Sequence, residues 1–161
     1  MIIRKATPND LQGIWKIFEI VIKTGDTFAF LPDTPFAELQ KLWFAPGMNT
    51  FVAEENGEII GSYFIKPNQP GLGSHIANCG YMVDPKERGK GIAGQMCAHS
   101  IQIAKELGYK GMQYNLVVST NIKAVKLWEK CGFKIIGTIP GGFHHSTLGY
   151  VDAYIMFREV N

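Results

Sequence analysis

The sequence predicts an α/β fold: one domain over residues 1–161, built on a mixed, mostly antiparallel sheet of six or seven strands, with about four helices on its two faces. Three observations predict it. A chain of 161 residues has the length of one domain, and such a domain buries about two-thirds of its unfolded surface. Apolar periodicity yields the order β-α-α-β-β-β-α-β-α-β-β. Strands in runs are joined to strands reached through helical crossovers, which calls for a sheet of mixed direction.

Residues 2–5 form a short strand. Thr7 and Pro8 then open a helix, with a hydroxyl at the N-cap, proline at the first helical position and Asp10 in the first turn. Leu11, Ile14, Trp15, Phe18, Val21 and Ile22 fall on its inner face. A second helix opens at Thr34-Pro35, turns Phe36, Leu39 and Trp43 inward, and stops at Pro46-Gly47. Residues 50–55 and 59–65 are strands joined by Asn56-Gly57 hairpin chemistry. After a loop over 67–73, a third meander strand runs over 75–83, with a bulge at Gly80. A helix spans 91–107 and closes at Gly108. A buried strand covers 110–118, a helix 121–131, and two last strands 133–139 and 150–158. The 140–149 segment between these reads as a loop.

Composition removes several function classes. Sixteen basic against fourteen acidic residues leave a net charge of +2, which makes no electrostatic case for nucleic acid or an anionic membrane. Cys79, Cys97 and Cys131 form no disulfide framework and no CxxC pair, so they read as core residues in a reducing cytoplasm, and no metal site is expected. The amino-terminal stretch has no signal-peptide character, and no run of about 20 apolar residues would span a membrane. Glycine is in excess, at 18 residues against a usual ~7%, without a G-X-Y period.

The chemistry concentrates in Val83-Asp84-Pro85-Lys86-Glu87-Arg88-Gly89-Lys90-Gly91-Ile92-Ala93-Gly94. A strand ends, a charged turn follows, and glycines open a helix. Successive backbone N–H groups can then converge on one anion, with the helix N-terminus and the charges of Arg88 and Lys90 behind them. This is a phosphate or pyrophosphate cradle. It is not a Walker loop, because Lys90 is followed by Gly91 rather than Ser or Thr. Gly89, Gly91 and Gly94 satisfy G-x-G-x-x-G. However, Asp84 to Arg88 separate the strand from its first glycine, and residues 111–118 contain no acid, which argues against a dinucleotide fold.

Arg88, Gly91 and Ala93 fit a third pattern, [Q/R]-x-x-G-x-[G/A]. This resembles the acyl-CoA loop of the GNAT family of N-acetyltransferases. The segment Asn121 to Phe133, with Ala124, Leu127, Trp128 and Gly132, resembles that family's last helix. The resemblance covers essentially the whole chain. The stretches Ser74 to Asn78, Gln113 to Asn121, Gly137 to Pro140 with Phe143 and His144, and Gly149 to Ala153 are similar to acetyltransferases acting on proline analogues of the azetidine-2-carboxylate type.

The family resemblance implies an acyl-CoA N-acyltransferase fold and acetyl-CoA as cofactor, lying between the third meander strand and the strand over 110–118. Backbone of Tyr81, Met82 and Val83 would pair with the pantetheine. N–H groups of Arg88, Gly89, Lys90, Gly91, Ile92 and Ala93 would hold the pyrophosphate, and the N–H near Val83 would polarise the thioester carbonyl. Asn121, Ala124 and Trp128 would line the other wall, with Asn121 both capping its helix and bonding the pantetheine. Trp128 stands where the family usually has the tyrosine that protonates the leaving thiolate, and an indole N–H is no useful acid. The strand over 75–83 also lacks the usual glutamate. His75 is its one titratable candidate near neutral pH, and a water relay is the default base.

The sub-family resemblance places Asn78 and Asn115 at the acceptor carboxyl; an equal alternative is that both amides satisfy backbone groups. Phe28 on the 24–35 connection, and Phe143 with His145 on the 140–149 segment, would wall the acceptor pocket. At most one of His144 and His145 can face it. The expected partner is a small-molecule amine, and a homodimer is compatible with this reading. Two alternatives stand beside it: a non-catalytic acyl-CoA sensor, and an acetyltransferase of protein N-termini or lysines.

Overall fold

Each strand forms where apolar residues lie between turn signals, and each helix where they recur every three or four positions. The computed structural model describes residues 1–160. Its elements are β1 (Ile2–Lys5), α1 (Leu11–Thr24), α2 (Phe36–Trp43), β2 (Asn49–Glu55), β3 (Glu58–Pro67), β4 (Ile76–Val83), α3 (Ile92–Glu106), β5 (Gly111–Val118), α4 (Ile122–Lys130), β6 (Lys134–His145) and β7 (Gly149–Glu159). They build one seven-stranded sheet in the order β1-β2-β3-β4-β5-β7-β6. Every pairing is antiparallel except β4 with β5. The expected mixed α/β sheet with four helices is therefore the observed one.

The two helical layers divide the core. α1 and α2 cover one face, where Ile14, Phe18, Leu39 and Trp43 pack against Val52, Phe64 and Met82. α3 and α4 cover the other, where Met96, Cys97, Ala104 and Trp128 pack against Tyr63, Ala77, Cys79 and Tyr114. Burying each large apolar side chain contributes about 1.5–3 kcal/mol. The buried Trp43 indole donates to Ser62 Oγ (2.9 Å), and Ser62 Oγ donates to the Phe51 carbonyl (2.9 Å). That polar chain sits in the core with its donors met. Burial pushes the Cys79 thiol up to about 12, and Cys97 is buried as well. Both are inert core residues, as expected.

Several boundaries differ from the sequence expectation. Pro8–Asp10 forms a 3-10 turn, and α1 begins only at Leu11. The Asp10 carboxylate accepts from Thr7 N–H (2.7 Å) and from both terminal nitrogens of Arg4 (2.9 and 2.8 Å), so it ties the turn to β1. Ile17, absent from the predicted inner face, is buried, whereas Phe36, predicted inward, is exposed and meets Trp15 edge-on at 5.4 Å. Gly80 makes no bulge, since β3 and β4 pair without a break from Gly61↔Val83 to Pro67↔Ala77. A Cβ there would lie 2.7 Å from the Phe64 ring, so this glycine makes room for an aromatic side chain.

The 140–149 segment is mostly strand. Pro140, Gly141 and Gly142 look like loop residues, but they form a register shift between Ile139 and Phe143 inside β6. Gly141 has φ +58°, and its N–H is taken up by the Asp152 carboxylate at 2.9 Å. The hairpin tip then docks on the end of α1: Ser146 N–H donates to the Gly25 carbonyl (2.9 Å), and Ser146 Oγ to the Thr24 carbonyl (2.8 Å).

Candidate active site

β4 and β5 pair only at Ile76↔Gly111 and Ala77↔Met112. Beyond that point they separate. The side chain of Asn78 spans the fork, donating from Nδ2 to the Gln113 carbonyl at 2.9 Å. Which backbone groups face the opening follows from alternation along the strand. Asp84 N–H donates to the Ile60 carbonyl of β3 (2.9 Å), while the His75 carbonyl accepts from Lys110 on the β5 side (2.8 Å). Even-numbered positions of β4 therefore turn their backbone groups to β3, and odd-numbered ones to the opening. Tyr81 and Val83 present N–H and C=O to it. Met82 does not: its backbone faces β3 and its side chain is buried against α1 and α2. The expected Met82 backbone contact is corrected on this ground.

On the α3/α4 face an aromatic cluster closes the opening from behind. Trp128 lies with its ring 4.9 Å from that of Tyr81 and 5.2 Å from that of Tyr114. Phe133 stacks on Tyr114 at 4.1 Å. The Tyr81 hydroxyl meets Ser100 Oγ (2.6 Å) and the Tyr114 hydroxyl (2.8 Å). Ser100 spends its proton on the Cys97 carbonyl (2.8 Å). Tyr81 must then donate to Ser100, and Tyr114 to Tyr81. Burial holds both phenols well above their ordinary values. They are neutral hydrogen-bonding wall groups with their protons committed inward.

The cradle follows β4 directly. Asp84 caps a short turn by accepting from Lys86 N–H (2.9 Å). Gly89 and Gly91 have φ of +85° and +78°, and a Cβ on either would meet nothing within 4 Å. Glycine is needed there for its backbone conformation alone. The first α3 hydrogen bond runs from Gln95 N–H to the Gly91 carbonyl (3.1 Å). The N–H groups of Gly91, Ile92, Ala93 and Gly94 thus have no backbone acceptor among the described residues, and they lie at the positive end of the helix dipole. Arg88 is exposed beside them. Lys90 is ion-paired to Glu87 at 2.6 Å, so its charge is shared. Across the opening, Asn121 caps α4 with Oδ1 accepting from Ala124 N–H at 3.3 Å, and Ala124 and Trp128 follow on that helix.

The α1/α2 face of the opening has a different character. The Phe28 ring comes 3.5 Å from the point where a Gly80 Cβ would lie, and it stacks on Phe30 (5.7 Å). The hydroxyl of Thr27 beside it is buried without a hydrogen-bond partner among the described residues. Carboxamides gather at the fork: Asn115 Nδ2 donates to Asn68 Oδ1 (2.6 Å), and Gln113 Nε2 to Asn115 Oδ1 (3.0 Å). Both predicted amides, Asn78 and Asn115, thus already bond within the protein, each with N–H capacity to spare. Phe143 is buried and meets the half-buried His145 edge-on at 6.4 Å. His144 points the other way and stacks on Tyr150 at 4.7 Å. His145 Nδ1 accepts from Thr147 N–H (3.2 Å).

His75 is not brought to the opening. It is exposed and precedes β4. Eight residues at about 3.3 Å each put it roughly 26 Å from Val83, at the closed end of the fork. Its expected catalytic role is withdrawn for that reason. Conversely, the sequence alone does not single out Lys66, Asn68 or Gln113. Their positions on the α1/α2 face depend on the register of β3 and β5, which no local motif encodes.

Residues 15–133 match the acetyltransferase (GNAT) family. The N-acetyltransferase aca1 of Schizosaccharomyces pombe is 40% identical over 112 residues, 69% of this chain, and the match spans only 54% of that protein's length. The L-amino acid N-acetyltransferase AaaT of Escherichia coli is 28% identical over 98% of this chain and 97% of its own. A solved structure of a GCN5-related N-acetyltransferase from Kribbella flavida superposes with a TM-score of 0.93 at 37% identity, covering 98% of this chain and 96% of that one. The chain belongs to the acetyltransferase (GNAT) family, and so by class to the N-acetyltransferases.

Proposed function

We propose that this chain moves the acetyl group of acetyl-CoA directly to the amine of a small amino acid. The observation that carries it is the juxtaposition of two anion- and amide-binding features: unpaired β4 groups at Tyr81 and Val83, and four free N–H groups at Gly91 to Gly94. Their chemistry fits the two parts of the cosubstrate. Backbone amides of an extended strand suit the pantetheine, and a helix N-terminus with Arg88 beside it suits the pyrophosphate.

Acetyl-CoA would supply the thioester acyl group. Val83 N–H would polarise its carbonyl, a donor worth about 3–4 kcal/mol when well aimed. The amine nitrogen bonds to the acyl carbon as the C–S bond breaks, the thiolate leaves, and the ammonium proton is lost. β4 carries no carboxylate, so that proton passes to water. Trp128, Tyr81 and Tyr114 exclude solvent from the thiol end and furnish no acid. A free thiolate is a tolerable leaving group, since its pKa is roughly 8–9.

A small acceptor is favoured by the α1/α2 face, where Phe28 stacks on Phe30, the β6–β7 tip docks on the end of α1, and the polar side chains at the fork are carboxamides rather than carboxylates. The similarity to an L-amino acid N-acetyltransferase points the same way. A thiol-release screen over amino acids, proline analogues, polyamines and short peptides tests the proposal. Release with small amino acids is expected; release with peptides alone refutes it.

A further inference from the structure

One polar contact joins α3 to β3. Phe51, Tyr63 and Tyr81 stand directly opposite one another on three neighbouring strands. The Tyr63 ring is fully buried and stacks on both neighbours, at 5.0 Å from Phe51 and 5.5 Å from Tyr81. Its hydroxyl meets His99 Nδ1 of α3 at 2.6 Å, the one side-chain hydrogen bond from β3 to α3 among the described residues. The half-buried imidazole meets Phe51 edge-on at 5.2 Å. Burial pushes the Tyr63 phenol far up, so it keeps its proton. It has no other acceptor among the described residues, and a buried O–H left unpaired is costly. The phenol therefore donates to Nδ1, which fixes His99 as the neutral ring with its proton on Nε2. A protonated ring carries hydrogen on both nitrogens and accepts nothing. Protonation would turn the one acceptor of a fully buried phenol into a donor. Burial already holds His99 below the ordinary histidine value, with Glu106, two turns on along α3, opposing. Lys5 of β1, opposite Phe51 in the register, adds repulsion against a charged ring. Gln95 and Gln102, one turn away on α3, carry no charge, and burial keeps the Cys79 and Cys97 thiols neutral.

We infer that the Tyr63–His99 hydrogen bond is an acid-released latch, which holds α3 and its cradle against the sheet at neutral pH and lets go when His99 takes up a proton. Its position links it to the site. His99 lies two turns along the helix whose first turn offers the free N–H groups. Tyr63 stacks on Tyr81, whose backbone faces the opening. The cradle and the β4 wall are thus braced at one hydrogen bond. Its effect on acetyl-CoA binding rests on the acetyl-transfer reading above; the latch itself does not. The folded value of His99 lies below the unfolded one near 6.5. The stabilisation is therefore complete above the unfolded value and is lost as pH falls through the lower, folded one.

Three measurements on wild type, Tyr63→Phe and His99→Gln test it. Imidazole nitrogen chemical shifts at pH 7.5 should show His99 neutral and protonated on Nε2. A ring protonated on Nδ1 overturns the latch, because the phenol would then have no acceptor. Thermal melts between pH 7.5 and pH 5 should cost wild type about 2–8 °C more than His99→Gln, which keeps an acceptor and does not titrate. Tyr63→Phe, with no hydroxyl to strand, should fall between the two. The same pH slope in all three proteins overturns the inference. Calorimetric titration of acetyl-CoA over that range should show wild type losing about fivefold or more in affinity relative to His99→Gln. Comparison with the variant cancels the ligand's own phosphates, which titrate near pH 6. Equal falls in affinity overturn the coupling to the cradle. Failure of all three proteins to bind acetyl-CoA at any pH overturns the acetyl-transfer reading, while the spectra and melts still decide the latch.

Discussion

Gly91→Ala separates what the cradle does for binding from what glycine does for the backbone. Gly91 has φ +78° with open space where a Cβ would lie, and Gly57, in the β2–β3 hairpin, has φ +80° with the same freedom. Alanine at either site meets no clash and incurs only the left-handed backbone cost of about 1–2 kcal/mol. In a chain of this size that lowers Tm by roughly 2–8 °C. The stability loss should therefore be alike in the two variants. Binding should not be. Any relief of that backbone cost moves residue 91 toward negative φ, which turns the Gly91 and Ile92 N–H groups off a common focus. Loss of one charge-assisted hydrogen bond weakens acetyl-CoA binding about 10- to 100-fold. Calorimetric titration of acetyl-CoA into both variants reads this directly. If Gly91→Ala binds as tightly as wild type, or Gly57→Ala loses as much affinity, the cradle reasoning is wrong.

Trp128→Phe keeps an aromatic ring against Tyr81 and Tyr114 and removes only the indole N–H, so turnover should fall less than tenfold; a hundredfold loss would make Trp128 an essential donor. His75→Ala should leave kcat and both KM values within about twofold, because the ring is exposed at the closed end of the fork; a large drop in kcat would return it to the mechanism. Arg4 holds the Asp10 carboxyl down at about 2, below its unfolded value near 3.9. That stabilisation is complete above the unfolded value and is lost as pH falls from about 4 toward 2. With Arg4 partly exposed, it amounts to on the order of 1 kcal/mol. Asp10→Asn should be less stable than wild type at pH 7 by that order, with the gap closing at pH 2 in denaturant melts; a gap that stays constant across this range would contradict the pairing.

Local chemistry was legible in the sequence; register was not. Asn56-Gly57 announced its hairpin, Gly91 and Asn121 announced their helix starts, and the spacing of Leu39 and Trp43 announced a buried face. The cradle was readable because its glycines, charges and helix are contiguous. Pro140-Gly141-Gly142 misled because a strand bulge uses the same residues as a loop, and the Asp152 carboxylate that stabilises it lies on the partner strand. Met82 was misplaced because backbone direction alternates residue by residue, and only the Asp84–Ile60 bond fixes its phase. That Lys66 faces Asn78 was invisible for a related reason: it depends on the register between β3 and β4.

The central claim is that acetyl-CoA lies along β4 and ends on the first turn of α3. Amide hydrogen exchange followed by NMR, with and without acetyl-CoA, tests it at the atoms concerned. The N–H groups of Tyr81, Val83 and Gly91 to Gly94 lack a backbone acceptor among the described residues and should exchange quickly, then slow strongly on binding. Met82, already turned to β3, should change little. Protection that appears elsewhere while those six amides remain fast would contradict the account.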